Sequence, residues 1–91
     1  MKSIRKSKAF QRKLAKFQRN FGAVIRDLRI KANLSRIELA RRAKFSVGTL
    51  TKIEYGRGNP MLGNMENLAK ALDLRLSRIF KMAQDRGDKG D

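Results

Sequence analysis

The chain has 91 residues, with 23 Lys and Arg against 8 Asp and Glu, no His and no Cys, for a formal net charge of +15. At this length a single domain is expected, with no room beside it for a catalytic or effector-binding module. The missing His and Cys remove the commonest general base, thiol chemistry, disulfides and cysteine zinc sites, and the carboxylates are scattered at Asp27, Glu38, Glu54, Glu66, Asp73, Asp85, Asp88 and Asp91. No catalytic residue, cofactor site or metal site is therefore expected, and the chain does not read as an enzyme.

The charge is larger than solubility requires and points to a polyanion as partner, because each cation placed on a phosphate releases condensed counterions and adds sequence-independent affinity. A solvated basic surface of the kind ribosomal proteins carry would give the same composition. No run approaches the ~18–20 apolar residues of a membrane span, and the start MKSIRKSKAF lacks the apolar core of a secretory signal, so a cytoplasmic, nucleoid-associated protein with no membrane partner is expected. Residues 1–20, with eight basic and no acidic side chains, also fit the pattern of a mitochondrial presequence.

In chain order, residues 1–19 form a basic N-terminal arm, residues 20–82 a globular part and residues 83–91 a polar tail that reads as disordered. The arm is not featureless. Phe10, Leu14 and Phe17 continue into Phe21, Val24 and Leu28 at alternating spacings of four and three, one side of a helix. The other reading of this arm is a disordered segment that becomes helical on DNA or on a protein partner.

A first helix is expected over residues 21–32, with Ile25 and Leu28 inward and Asn33 as a left-handed stop. Ser35 and Glu38 have the spacing of a capping box, which starts a second helix at Arg36 with Leu39, Ala40 and Ala43 inward. Ser46 offers the next N-cap, so a third helix runs from Val47 to about Tyr55, with Leu50 and Ile53 inward, and ends in the loop YGRGNP. Leu62, Met65, Leu68, Ala69 and Leu72 repeat at helical spacing in a fourth helix, and Leu76, Ile79 and Phe80 mark a short fifth. No segment alternates with period two, and the fold class is all-α with five helices.

Two short helices joined by a tight turn prop the second across the first, so that its outer face can enter a major groove. The linked segments FGAVIRDLR, LSRIELARRA, FSVGTLTKIEYGRGNP and NLAKALDL together resemble the Cro and phage-repressor, or Xre-type, helix-turn-helix family, whose fold is the lambda-repressor-like domain. The resemblance covers about residues 21–80. It implies double-stranded operator DNA as the partner and a homodimer as the working form.

Carried onto this sequence, the resemblance implies that Arg36, where Gln is more usual, meets a phosphate, and that Ser46, Arg57 and Asn59 approach the sugar-phosphate backbone. Ser46 and Asn59 are equally explained as cap and turn residues. On a helical wheel the outer face of the third helix holds Gly48, Lys52 and Tyr55, flanked by Thr49 and Thr51, with Val47 at its tip; Tyr55 is grouped with the backbone contacts and the others with base reading. Lys52 can donate to guanine O6 or N7, or meet a phosphate instead, and Val47 and the Thr methyls can pack on a thymine methyl. Arg29 and Glu54 fall where the family places a structural ion pair. Three departures stand out: Lys44 occupies a turn position where the family has Gly, and Met61 and Arg75 replace the polar caps of the fourth and fifth helices.

The function expected is sequence-specific regulation of transcription, in the sense of a repressor. The alternative is an antitoxin that represses its own operon and binds a cognate toxin through residues 1–19. A nucleoid-type protein binding DNA with little sequence preference is a third reading.

Overall fold

The computed structural model of the chain describes residues 7–90. Five helices follow one another, α1 (Lys8–Lys31), α2 (Arg36–Ala43), α3 (Val47–Glu54), α4 (Leu62–Ala71) and α5 (Leu76–Gly90), and no strand occurs among the described residues. The all-α reading holds. Phe21, Ile25, Leu39, Leu50, Leu68 and Ile79 are the largest fully buried side chains, so every helix contributes to one core.

The first four helices stop in the same way. Asn33, Lys44, Gly56 and Asp73 adopt positive φ, and at each the next residue's amide donates to the carbonyl five residues back: Leu34 to Arg29, Phe45 to Ala40, Arg57 to Lys52 and Leu74 to Ala69. These are Schellman ends, which satisfy helix carbonyls that would otherwise lack partners. Leu34 enters the core, and Phe45 and Leu74 pack against it. At the end of α3 the equivalent residue is Arg57, which is exposed, so the motif that elsewhere seats an apolar plug here delivers a cation to the surface.

The expected start of the first helix at residue 21 is corrected: α1 is one uninterrupted helix from Lys8, capped by the Ser7 side chain, which accepts the Phe10 amide. Its seam explains the continuity. Phe17, Phe21 and Phe80 form an aromatic trio with centroid separations of 5.8–6.0 Å, so the second half of the arm packs on α5. The tail expected to be disordered over 83–91 and the short fifth helix are corrected together, since α5 runs for 15 residues to Gly90. Ala83 is buried, and Gly87 lies against Asn20, where a Cβ would come within 2.9 Å of the Asn20 amide nitrogen. Two exposed ion pairs, Lys81–Asp85 and Arg86–Asp27, lie on the same stretch of α5. Ends that look separable in the sequence thus pack on each other.

Residues 44–46 alone separate α2 from α3. Lys44 has φ 64° and ψ 41°, left-handed as its place in the turn implied. Met61 precedes α4 with no side-chain cap hydrogen bond, again as expected.

Candidate nucleic-acid interface

Helix α3 is fixed from beneath by one carboxylate. Glu54, with its side chain 1% exposed, accepts from Arg29 Nε at 2.7 Å and Nη2 at 3.1 Å, and from Arg36 Nε at 2.9 Å. Arg29 Nη1 also donates to the Leu34 carbonyl at 3.0 Å. The expected Arg29–Glu54 pair is present, and it is one arm of a three-residue network joining α1, α2 and α3. Deleting one partner of such a buried pair costs about 3–5 kcal/mol, because the other charge is left without compensation.

Arg36 is the member that sequence reasoning did not place here. Its Nε is on Glu54, its guanidinium stands 5.5 Å from the centre of the Tyr55 ring, and a third of the side chain stays exposed. The Glu54 hydrogen bond raises its already high pKa further. Arg36 braces the motif first, and only its remaining donors are open to another group. A signal existed in the register: Arg36 opens the helix that crosses over α3, and Glu54 is the one acidic residue on α3.

A close crossing positions the far end of α3. A Cβ on Gly22 would collide with the Ile53 carbonyl oxygen and press on that of Glu54, so only glycine lets α1 approach α3 this closely. This requirement is invisible to helical periodicity, which counts Gly22 as a weak helix former.

Four of the remaining site residues share one recess, and the others lie along α3 and at its ends. Ser46 caps α3 by accepting the Thr49 amide, and its hydroxyl is 2.9 Å from that of Thr49. The Thr51 hydroxyl donates to the Val47 carbonyl at 2.8 Å. Both threonine hydroxyls therefore have partners within the helix, and their methyl groups are the more available part. Val47 is 43% exposed at the tip and Tyr55 62% exposed at the other end. Thr49, Lys52, Arg57 and Asn59 line a single shallow recess with Gly58, Pro60, Ile53 and Asn64. Asn64, in the first turns of α4, was not singled out from the sequence; nothing in its local pattern separates it from an ordinary surface residue.

Around Gly48 the nearest atom to an added Cβ would be Ser46 Oγ at 3.8 Å, so the fold itself does not demand glycine there. Among the described residues no group of three or more acidic, His or Cys side chains could hold a metal ion, and no helix is long and apolar enough to cross a membrane.

The fold recurs in known proteins. The chain matches a family model described as helix-turn-helix over residues 25–79. The clp gene regulator ClgR from Corynebacterium glutamicum superposes with a TM-score of 0.76 at 22% identity, covering 79% of this chain and 77% of that one. The restriction-modification controller protein C.AhdI from Aeromonas hydrophila gives 0.67 at 31% identity, covering 68% of this chain and 94% of that one. No curated protein sequence matches the chain. With the family model spanning more than half of its length and a short helix, a three-residue turn and a braced second helix at its centre, the chain belongs to the Xre-type helix-turn-helix family of DNA-binding transcription regulators.

Proposed function

We propose that the protein is a sequence-specific repressor that binds a double-stranded operator as a homodimer and reads the major groove with α3. The observation that carries this reading is the shared surface of Thr49, Lys52, Arg57 and Asn59: groups suited to base edges and groups suited to the backbone line one recess, over a helix locked in place by Glu54. Val47, Gly48, Thr49, Thr51 and Lys52 are the base readers. Lys52 donates to guanine, the methyls of Val47, Thr49 and Thr51 pack on thymine, and Gly48 lets the α3 backbone come close to the duplex. Arg36, Ser46, Tyr55, Arg57 and Asn59 hold the backbone and set the register.

One short helix reads too few base pairs for useful specificity, and two copies on half-sites about one helical turn apart supply the rest. Repression asks only that this domain occupy a promoter, which places its work on nucleoid DNA in the cytoplasm. The antitoxin reading finds less support, because Phe17 and Gln18 of the segment it would assign to a toxin are engaged within the domain.

Lys52→Ala tests the proposal. On the preferred operator it should cost ~1–3 kcal/mol and relax the preference at one base pair per half-site, as measured by affinity across operator variants. An equal loss on every sequence would make Lys52 a phosphate contact and leave base reading to the methyl groups.

A further inference from the structure

The first two thirds of α1 lie N-terminal to the region the family model matches, and they are fastened to the loop that carries Arg57 and Asn59. Gln18 Nε2 donates to Asn59 Oδ1 at 3.3 Å. Gly56, at φ +71°, sits so tightly against α1 that a Cβ would come within 2.8 Å of the Arg19 Cα. Position 19 of α1 therefore lies directly beside the loop.

From that point a cationic stripe runs back along the helix. At 3.6 residues per turn, Lys8, Arg12 and Arg19 fall within about 40° of one another around the axis and span about 16 Å along it. All three are exposed. None is paired with a carboxylate among the described residues, and the first acidic residue of the chain is Asp27. The apolar seam of Leu14 and Phe17 lies on roughly the opposite side of the helix, so the stripe is not the polar edge of a buried face. A duplex presents one phosphate charge per ~1.7 Å of axis, and a row of unpaired cations continuing from a backbone-contacting loop meets successive phosphates.

The geometry points to a second DNA-backbone contact surface on α1, formed by Arg19, Arg12 and Lys8 and continuous with the loop at residues 56–59. This rests on the reading that the loop lies against DNA. It assigns no base preference to α1: the stripe adds affinity on any sequence and lengthens the footprint beyond the half-site that α3 reads.

The test compares two charge-matched triple variants of the full chain on a non-operator duplex over a range of salt concentrations. One is Lys8→Gln/Arg12→Gln/Arg19→Gln; the other, Lys70→Gln/Arg75→Gln/Arg78→Gln, removes three exposed cations at α4 and α5. The α1 triple should lower the slope of log K against log salt by about two to three, at roughly 0.9 per phosphate contact, and the control triple by less than one. Equal changes from the two triples, or no change from the α1 triple, would overturn the proposal. Should the triple fail to fold by circular dichroism, Arg12→Gln alone, at an exposed position, decides it by a slope change of about 0.9 or none. A parent chain with no salt-dependent affinity for DNA would overturn the underlying reading as well.

Discussion

Lys44 ends α2 at φ 64°, where a side chain is strained by its Cβ and glycine is not. Lys44→Gly should therefore raise stability by about 0.5–1 kcal/mol in urea denaturation, the relief of strain exceeding the extra freedom of the unfolded chain. An unchanged or lower midpoint would show that the Lys44 side chain contributes a compensating contact. Glu38 carries the other local consequence. Its carboxylate accepts the Ser35 amide at 3.2 Å, and that bond and the Ser35 side chain lower its pKa. Because the folded value lies below the unfolded one, this contribution is complete above the ordinary glutamate range and fades as pH falls through the lowered value. Glu38→Gln keeps a cap but not the titration, so its stability should decline less steeply than the parent's between about pH 6 and pH 3. Parallel declines would contradict the assignment. At this scale the sequence was informative wherever the cause was local: the Ser35–Glu38 box, the Ser46 cap and the left-handed Asn33 all follow from neighbours within five residues, whereas the left-handed Lys44 followed from the family's glycine at that position. Asp73 escaped because aspartate is less often the left-handed residue than asparagine or glycine.

The helices show where local reading stops. The cores of α2 and α3 were legible because each pairs a recognisable cap with an inward apolar face, whereas α4 was legible from its apolar spacing alone. The boundary drawn at residue 20 followed a change in charge, whereas helix continuity follows the apolar seam, and Phe17 has its main partner, Phe80, at the far end of the chain. Likewise residues 83–91 read as a disordered polar tail until Asn20 is seen beside Gly87. The Arg36–Glu54 bond was missed because its partners are 18 residues apart and meet only through the α2–α3 crossing, so its signal lay in the register of two helices and not in either one. If the α1–α5 packing is as described, Phe17→Ala should lower stability by about 1–2 kcal/mol, because the ring is 37% exposed and loses only the buried part of its transfer free energy. A melting midpoint equal to the parent's would mean that residues before 20 are dispensable to the fold.

For the whole molecule the decisive quantities are charge and valency. A formal charge of +15 guarantees attraction to any duplex at low salt, so DNA binding alone says little about what the protein selects. Specificity has to come from the outer face of α3, and from two such faces held at a fixed spacing. The most direct measurement is selection of bound duplexes from a random pool at physiological salt. The account predicts enrichment of a two-fold symmetric site whose half-sites lie about one helical turn apart, with guanine favoured at one position in each half. A pool that remains random after repeated selection, while still binding tightly, would contradict it and leave a protein that recognises the phosphate backbone alone.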